Sequence, residues 1–249
     1  FAEGDLLLRP GMRLDPWRIS LAASAGRSEL AVRRRPRVAI LSTGEEIVSV
    51  GETPGPEQIF DSGSPALAAL VRAWGGLPQR LKPAGDRIEA IVAALKDVSC
   101  DVIVTIGGAS VGDHDLVKPA LAQLGLTMVF ESLKMRPGKP TWFGLLSDGR
   151  RVLGLPGNPA SALACAELFL RPLMMSLQGA EPGPRMVTAK LAADLPANGP
   201  REHWMRARLR YEDGGLIADP MRDQDSSLVT VFAEADALLK RPIDAEPAA

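Results

Sequence analysis

Apolar positions change their rhythm along this 249-residue chain, and each change marks a different kind of structure. Residues 1–36 give turns and a short helix but no self-sufficient core. From Arg37 onward, continuous β-branched runs alternate with stripes at helical spacing; the runs are the pattern of strands buried on both faces. Val38-Ala39-Ile40-Leu41 is the first such strand. Leu67, Leu70, Val71 and Trp74 mark the helix after it, with Pro65 as its first residue. Ile88, Ile91, Val92 and Leu95 form a second stripe, preceded by Asp86 and Glu89 at capping-box spacing. The run 101–106 reads as another buried strand, and Val117, Ala120, Leu121 and Leu124 as the helix after it, stopped at Gly125. Two strands, over 127–133 and 140–146, are expected to be joined by 134–139. One more, over 152–155, enters a helix that Asn158 would cap, with Pro159 at its first position and Gly179 just past its end.

Strands alternating with amphipathic helices predict an α/β fold, a mostly parallel sheet with helices on both faces. Past Gly179 the pattern shortens to strand candidates at 186–193, 202–211, 215–218 and 237–240, separated by Pro, Gly and Asp. These predict a small C-terminal all-β domain. The expected division is a remnant of an upstream domain at 1–36, the α/β domain at 37–178 and the β domain at 179–249.

Composition narrows the function classes. A hydrophobic fraction of 46% and a charged fraction of 24% are those of an ordinary soluble globular protein. The net charge of −1 gives no sign of a nucleic-acid groove or of attraction to an anionic membrane. Arg33-Arg34-Arg35 is a short basic run before a strand and reads as a solvated edge. The longest apolar stretch, 160–177, is interrupted by Glu167, Arg171 and Pro172, so no membrane span is expected. Cys100 and Cys165 lie far apart and share no ligand spacing with His114 or His203, which argues against a zinc site or disulfides and fits a reducing cytoplasm. The chain opens on Phe1 with no visible signal peptide and reads as a fragment.

In an open parallel sheet, ligands bind beyond the carboxyl ends of the strands. Three loops leave such ends here, at 42–46, 107–115 and 156–159. Gly107 and Gly108 let backbone donors approach a phosphate with no side chain in the way, although a tight turn needs them equally. Glu46, Asp86, Asp113 and Asp115 fall near the same edge, where they would repel a phosphate. Mg²⁺, which takes carboxylates together with substrate phosphates, resolves that conflict. Asp86 and Asp113 also read as helix caps; Glu46 and Asp115 do not. Arg136 and Lys139, held by prolines and Gly138, are either a solvated hairpin tip or a rigid clamp for an oxyanion.

Taken together, PRVAILSTGEEIV, IFDSGSPALAALV, GGASVGDHDLVK, MRPGKPTWFGLL and GLPGNPASAL resemble the molybdopterin molybdenumtransferases of molybdenum-cofactor biosynthesis, a family that includes the E domain of gephyrin. Weaker matches follow in PREHWMRARL, DQDSSLV and AEADALLKRP. The resemblance implies a cytoplasmic Mg²⁺-dependent enzyme that joins molybdate to adenylylated molybdopterin and releases AMP. It implies Glu46, Asp86 and Asp115 as the catalytic and metal-binding carboxylates. Thr43, Gly44, Gly107, Gly108, Ser110, Gly112 and Asp113 would lie along the substrate. Arg136, Gly138 and Lys139 would hold its charged groups, with Pro156, Gly157 and Asn158 closing the site. In the tail, Arg201 or Arg206 with Ser226 and Ser227 is similar to a molybdate-binding patch.

A homodimer and contact with the adenylyltransferase of the preceding step are also implied, with neither nucleic acid nor membrane as partner. Glu45 stands where the family usually has Asp, Gly63 where it has Asn, and Arg136 where it has Lys. Two other readings use the same residues. One is the sister adenylyltransferase or a nucleotide-related hydrolase on the same fold, relatives that lack the small β domain. The other is a non-catalytic dimeric scaffold, which would have no need of the three carboxylates.

Overall fold

A computed structural model describes residues 1–108, 116–183, 186–225 and 227–248. Near its start the Asp15 side chain accepts the Arg18 N–H at 2.9 Å and opens helix α1 (Pro16–Ser24). The α/β unit then runs β1 (Arg37–Ser42), β2 (Ile47–Val48), β3 (Ile59–Phe60), α2 (Gly63–Ala73), β4 (Leu77–Arg80) and α3 (Ile88–Leu95). It continues through β5 (Val102–Ile106), α4 (Val117–Ala122), β6 (Thr127–Phe130), β7 (Met135–Arg136), β8 (Trp142–Leu145) and β9 (Arg151–Leu155). One helical run follows, α5 (Pro159–Cys165) and α6 (Arg171–Leu177), joined by a π turn over Ala166–Leu170. The tail holds β10 (Lys190–Leu191), β11 (Glu202–Glu212), β12 (Gly215–Pro220), α7 (Val229–Ala233) and β13 (Ala237–Arg241).

The main sheet has the order β4-β1-β5-β9-β8-β6, parallel through β9 and antiparallel for the last two strands. Alternation along each strand divides the apolar residues between two cores. Val38, Ile40, Val104 and Leu153 pack with α2, α5 and α6, whereas Ala39, Leu41, Ile103 and Trp142 pack with α3 and α4. Each Val, Leu or Ile among them, fully buried, is worth roughly 1.5–3 kcal/mol before entropy is counted. The run Pro159–Leu177 is long and apolar enough to cross a membrane by length and composition. Its Ala162, Cys165, Ala166, Leu170 and Met174 are instead buried in the first core, so it packs as a core helix.

Several local expectations need correction. Helix α2 begins at Gly63, two residues before Pro65, because Asp61 supplies the N-terminal hydrogen bond. Asp86 does not cap α3: the N-cap is Arg87, and the Asp86 N–H instead donates to Glu45 Oε1 at 3.1 Å. The segment 134–139 is not a free hairpin tip, since β7 pairs with β11 as a strand of the tail sheet. That sheet, ordered β10-β12-β11-β13, is thereby stitched to the α/β unit. The strand expected over 186–193 shrinks to the two residues of β10.

Candidate functional site

Strands β1, β5 and β9 are neighbours, so the loops that leave their carboxyl ends emerge side by side. Each is tied to the next. The Thr43 N–H donates to Ile106 O at 2.9 Å, and the Gly107 N–H to Leu155 O at 3.3 Å. At Gly107 the backbone has φ +93°, and a Cβ there would sit 2.7 Å from Thr43 O. A Cβ on Gly157 would lie 3.3 Å from Gly107 Cα. The glycines are therefore required by close backbone contact, and together they form one rim of main chain with little side-chain cover.

A fourth loop joins this rim. Thr43 bridges Ala84, the Gly44 N–H donates to Ala84 O at 3.2 Å, and Glu45 receives the Asp86 N–H. Glu46 and Asp86 thus lie on linked loops, both exposed. The Glu46 carboxylate folds over Gly44, where a Cβ would meet its oxygens at 2.6–2.7 Å. Neither carboxylate makes a side-chain hydrogen bond or ion pair among the described residues. Exposed acids with no counter-ion among the described residues, beside a glycine-lined rim, suit a divalent cation, which needs only one or two carboxylates when phosphate oxygens and water complete its shell. Among the described residues no three His, Cys, Asp or Glu side chains converge. Asp115 lies outside the described residues, as do Ser110, Gly112 and Asp113.

Asn158 precedes α5 in extended backbone with Pro159 at the first helical position, as expected, but its side chain does not cap the helix. Its backbone carbonyl accepts the Ala162 N–H at 2.9 Å, while Oδ1 is buried without a partner among the described residues. A buried acceptor left empty costs about 1–3 kcal/mol, so a donor arriving at the rim would recover that energy.

Strand β8 runs antiparallel to β9, which brings the segment entering β8 to the same rim. The Leu133 N–H donates to Lys139 O and the Thr141 N–H to Gly138 O, both at 2.9 Å, and the Arg136–Pro137 peptide is cis. Gly138, at φ +111°, presses on α5 so closely that a Cβ would run into Cys165 Sγ. The turn is therefore fixed, yet Arg136 and Lys139 are exposed and form no ion pair among the described residues. These are the two cations that the clamp reading needs.

Asp61 was not singled out from sequence. It is 4% exposed and holds the first loop's base: Ser42 Oγ donates to Oδ1 at 3.0 Å, the Ser64 N–H to Oδ1 at 2.9 Å, and Ser64 Oγ to Oδ2. Arg80 Nε donates to Ser64 Oγ at 3.0 Å, so β1, α2 and β4 meet in one network. Its signal in the sequence is an Asp two residues before the helix start at Gly63, a residue type that accepts the free N–H groups of a first turn.

In the tail, His203 pairs with Arg136 across β7 and β11 and with Arg241 across β13. It is 7% exposed, and burial pushes its pKa down to about 4, with Arg136, Arg206, Arg201 and Arg241 adding repulsion. The ring is neutral where an unfolded His would begin to take a proton. The unfolded chain therefore binds more protons between pH 6.5 and about 4, and stability falls as pH drops through that window. We expect a loss of up to about 3 kcal/mol, reduced by solvent screening of the arginines. Melting temperatures at pH 7.5 and 4.5 should differ less for His203→Gln than for wild type; an equal drop would remove His203 as the cause.

Three residues along β11, Arg206 is 1% exposed and donates from Nη2 to Asp225 O at 3.2 Å. Ser227 donates to Asp225 Oδ1 through its N–H at 2.8 Å and its hydroxyl at 2.9 Å. Arg206 and Ser227 thus share the loop at Asp225. Ser226 lies outside the described residues, and Arg201 is exposed.

Residues 39–176 match the model of a probable molybdopterin binding domain. The chain belongs to that family. This molybdopterin-binding domain takes in all four rim loops and the Arg136–Lys139 turn, while residues 188–249 match the MoeA C-terminal region (domain IV). The molybdopterin molybdenumtransferase of Bacillus subtilis is 32% identical over 243 residues, covering 96% of this chain and 56% of that protein. Its counterpart in Nostoc sp. is 35% identical over 220 residues, covering 86% and 50%. The molybdopterin biosynthesis MoeA protein of Pyrococcus horikoshii superposes with a TM-score of 0.83 at 31% identity, covering 98% of this chain and 59% of that one. The chain thus spans about half the length of the curated relatives it matches. The family expected from the motifs is the family found, and the α/β sheet followed by a MoeA-type tail is its fold.

Proposed function

We propose that this chain carries the reaction rim of a molybdopterin molybdenumtransferase, which joins molybdate to the dithiolene of adenylylated molybdopterin and releases AMP. The observation that carries this reading is the convergence of three strand ends on one glycine-lined rim, flanked by Glu46 and Asp86, unpaired among the described residues, on one side and by Arg136 and Lys139 on the other. The main chain at Gly108, just past the bonded Gly107 N–H, would cradle the diphosphate. Glu46 and Asp86, with Asp115, would hold Mg²⁺, which when bound supplies charge neutralisation at the phosphoryl oxygens. Arg136 and Lys139 would hold molybdate or the substrate's charged groups, since a fork and a point charge in a rigid turn suit a tetrahedral dianion. Asn158 Oδ1 would accept a hydrogen bond from the substrate. Arg206 with Ser226 and Ser227 would form a second anion contact in the tail.

A homodimer, and contact with the adenylyltransferase of the preceding step, belong to the same proposal. The sister adenylyltransferase reading is weaker, because the tail sheet takes β7 from the α/β unit and so sits directly behind the clamp. A scaffold has no use for carboxylates kept free of counter-ions.

The test is nucleotide release from adenylylated molybdopterin by the full-length protein with molybdate and Mg²⁺. Glu46→Gln should lower the rate about 10–100-fold, the usual effect of weakening a metal site, and a chelator should do the same to wild type. The melting temperature should hold, since Glu46 is exposed. Wild-type release by the variant would take Glu46 out of the mechanism.

A further inference from the structure

We infer that a second ligand site lies at the opposite end of the sheet, a groove suited to a small organic anion with an apolar body, such as an aryl phosphate or aryl carboxylate. The groove has a volume of about 750 Å³ and is lined by 8–14, 30–33, 73–75 and parts of α6 and the turn after it. Those segments precede β1 and β4 or end α6, so the groove lies at the amino ends of the parallel strands, away from the rim. Its volume is within the range of roughly 300–1,000 Å³ usual for small-molecule sites.

The charge pattern sets the ligand class. Arg33, Arg34 and Arg35 read alike in the sequence, but the fold uses them differently. Arg34 forks Asp101, and Arg35 donates to Gly75 O at 2.9 Å and Gly76 O at 3.0 Å. Arg33 makes no hydrogen bond or ion pair among the described residues and lies along Gly179, with Nε 3.5 Å from where a Cβ would be. Arg9 and Arg13, on the facing segment, also have side chains unpartnered among the described residues. A fourth guanidinium, Arg171, pairs with Glu167, and among the described residues no Asp or Glu lines the groove.

Arg9, Arg13 and Arg33, unpartnered among the described residues, repel one another, and an oxyanion relieves this through paired N–H bonds. Between them the wall is apolar, formed by Leu14, Leu30, Trp74 and Met175. Gly11 fixes the facing segment, because a Cβ there would stand 2.9 Å from Gly179 O. The arginines bind the charge, and the apolar wall binds the body of the ligand. Nothing in this inference depends on the rim.

Calorimetry on this chain with 1-naphthyl phosphate, 1-naphthol and inorganic phosphate separates the contributions. Naphthyl phosphate should bind at least tenfold more tightly than either fragment. The double variant Arg13→Gln/Arg33→Gln should lose at least tenfold in affinity with an unchanged melting temperature, since both residues are exposed. The rim variant Arg136→Gln/Lys139→Gln should bind as wild type. Equal affinity in the Arg13/Arg33 variant, equal binding of naphthol, or loss only in the rim variant would overturn the proposal. So would tighter binding of a leucine–glutamate peptide at the same arginines, which would make the groove a peptide dock.

Discussion

Replacing Trp142 with alanine will cost about 3–5 kcal/mol of stability, the range for removing a fully buried aromatic from a core. Trp142 is 0% exposed and sits opposite Gly154 in the β8–β9 register. Any Cβ on Gly154 would run into the indole, so the two residues form a matched pair that fixes β8 against β9. That pairing also fixes the turn three residues upstream, where Lys139 stands. The indole Nε1 is buried with no partner among the described residues, so Trp142→Phe gives up area but also removes an unpaired donor. It should cost under about 1.5 kcal/mol, as volume-tolerant core swaps do. Urea denaturation of the two variants distinguishes these cases, and equal losses would show that the ring edge, not its bulk, anchors the sheet.

The strands that position the rim were legible because burial on both faces leaves one residue type at every position. Val38 to Leu41 and Val102 to Ile106 are buried throughout, and their runs are correspondingly continuous. Strand β4 left no such trace. It is an edge strand with Pro78 inside it and its other three residues exposed, so no apolar pattern was imposed on it. β7 was illegible for a different reason: its partner, β11, lies more than sixty residues away, and pairing at that distance writes nothing into a two-residue segment.

The misread cap at Asp86 shows a competition that spacing cannot report. The Asp86 N–H is taken by Glu45, whose carboxyl group presses on Gly85, and the helix starts only at Ile88. Freed from capping, the exposed Asp86 carboxylate makes no hydrogen bond or ion pair among the described residues. The same logic applies at Asn158, whose side chain also declines the cap and leaves Oδ1 empty. Two polar residues that local rules assign to helix ends are released from them at the same sheet edge. Local patterning fails at Asp86 because its N–H is satisfied by the neighbouring loop instead of by its own helix.

Gly107→Ala should lower nucleotide release by about 100-fold, because the rim has no slack at this position. The residue sits at φ +93°, where an L side chain costs about 1–2 kcal/mol, and its Cβ would stand 2.7 Å from the Thr43 carbonyl oxygen. Backbone on both sides means that no rotamer change can relieve the contact; the loops after β1 and β5 must move apart. That movement would draw Thr43 from Ile106 O and carry Gly44, Glu45 and Glu46 away from the amides they flank. In the proposed reaction, the carboxylates and the cradle would then no longer meet the same diphosphate. An effect on rate with modest loss of stability separates this from general unfolding. Gly183→Ala is the control, since nothing lies within 4 Å of a Cβ there and its φ is not left-handed. Should Gly107→Ala release nucleotide as fast as that control, the close approach of the loops after β1 and β5 would have no part in the chemistry.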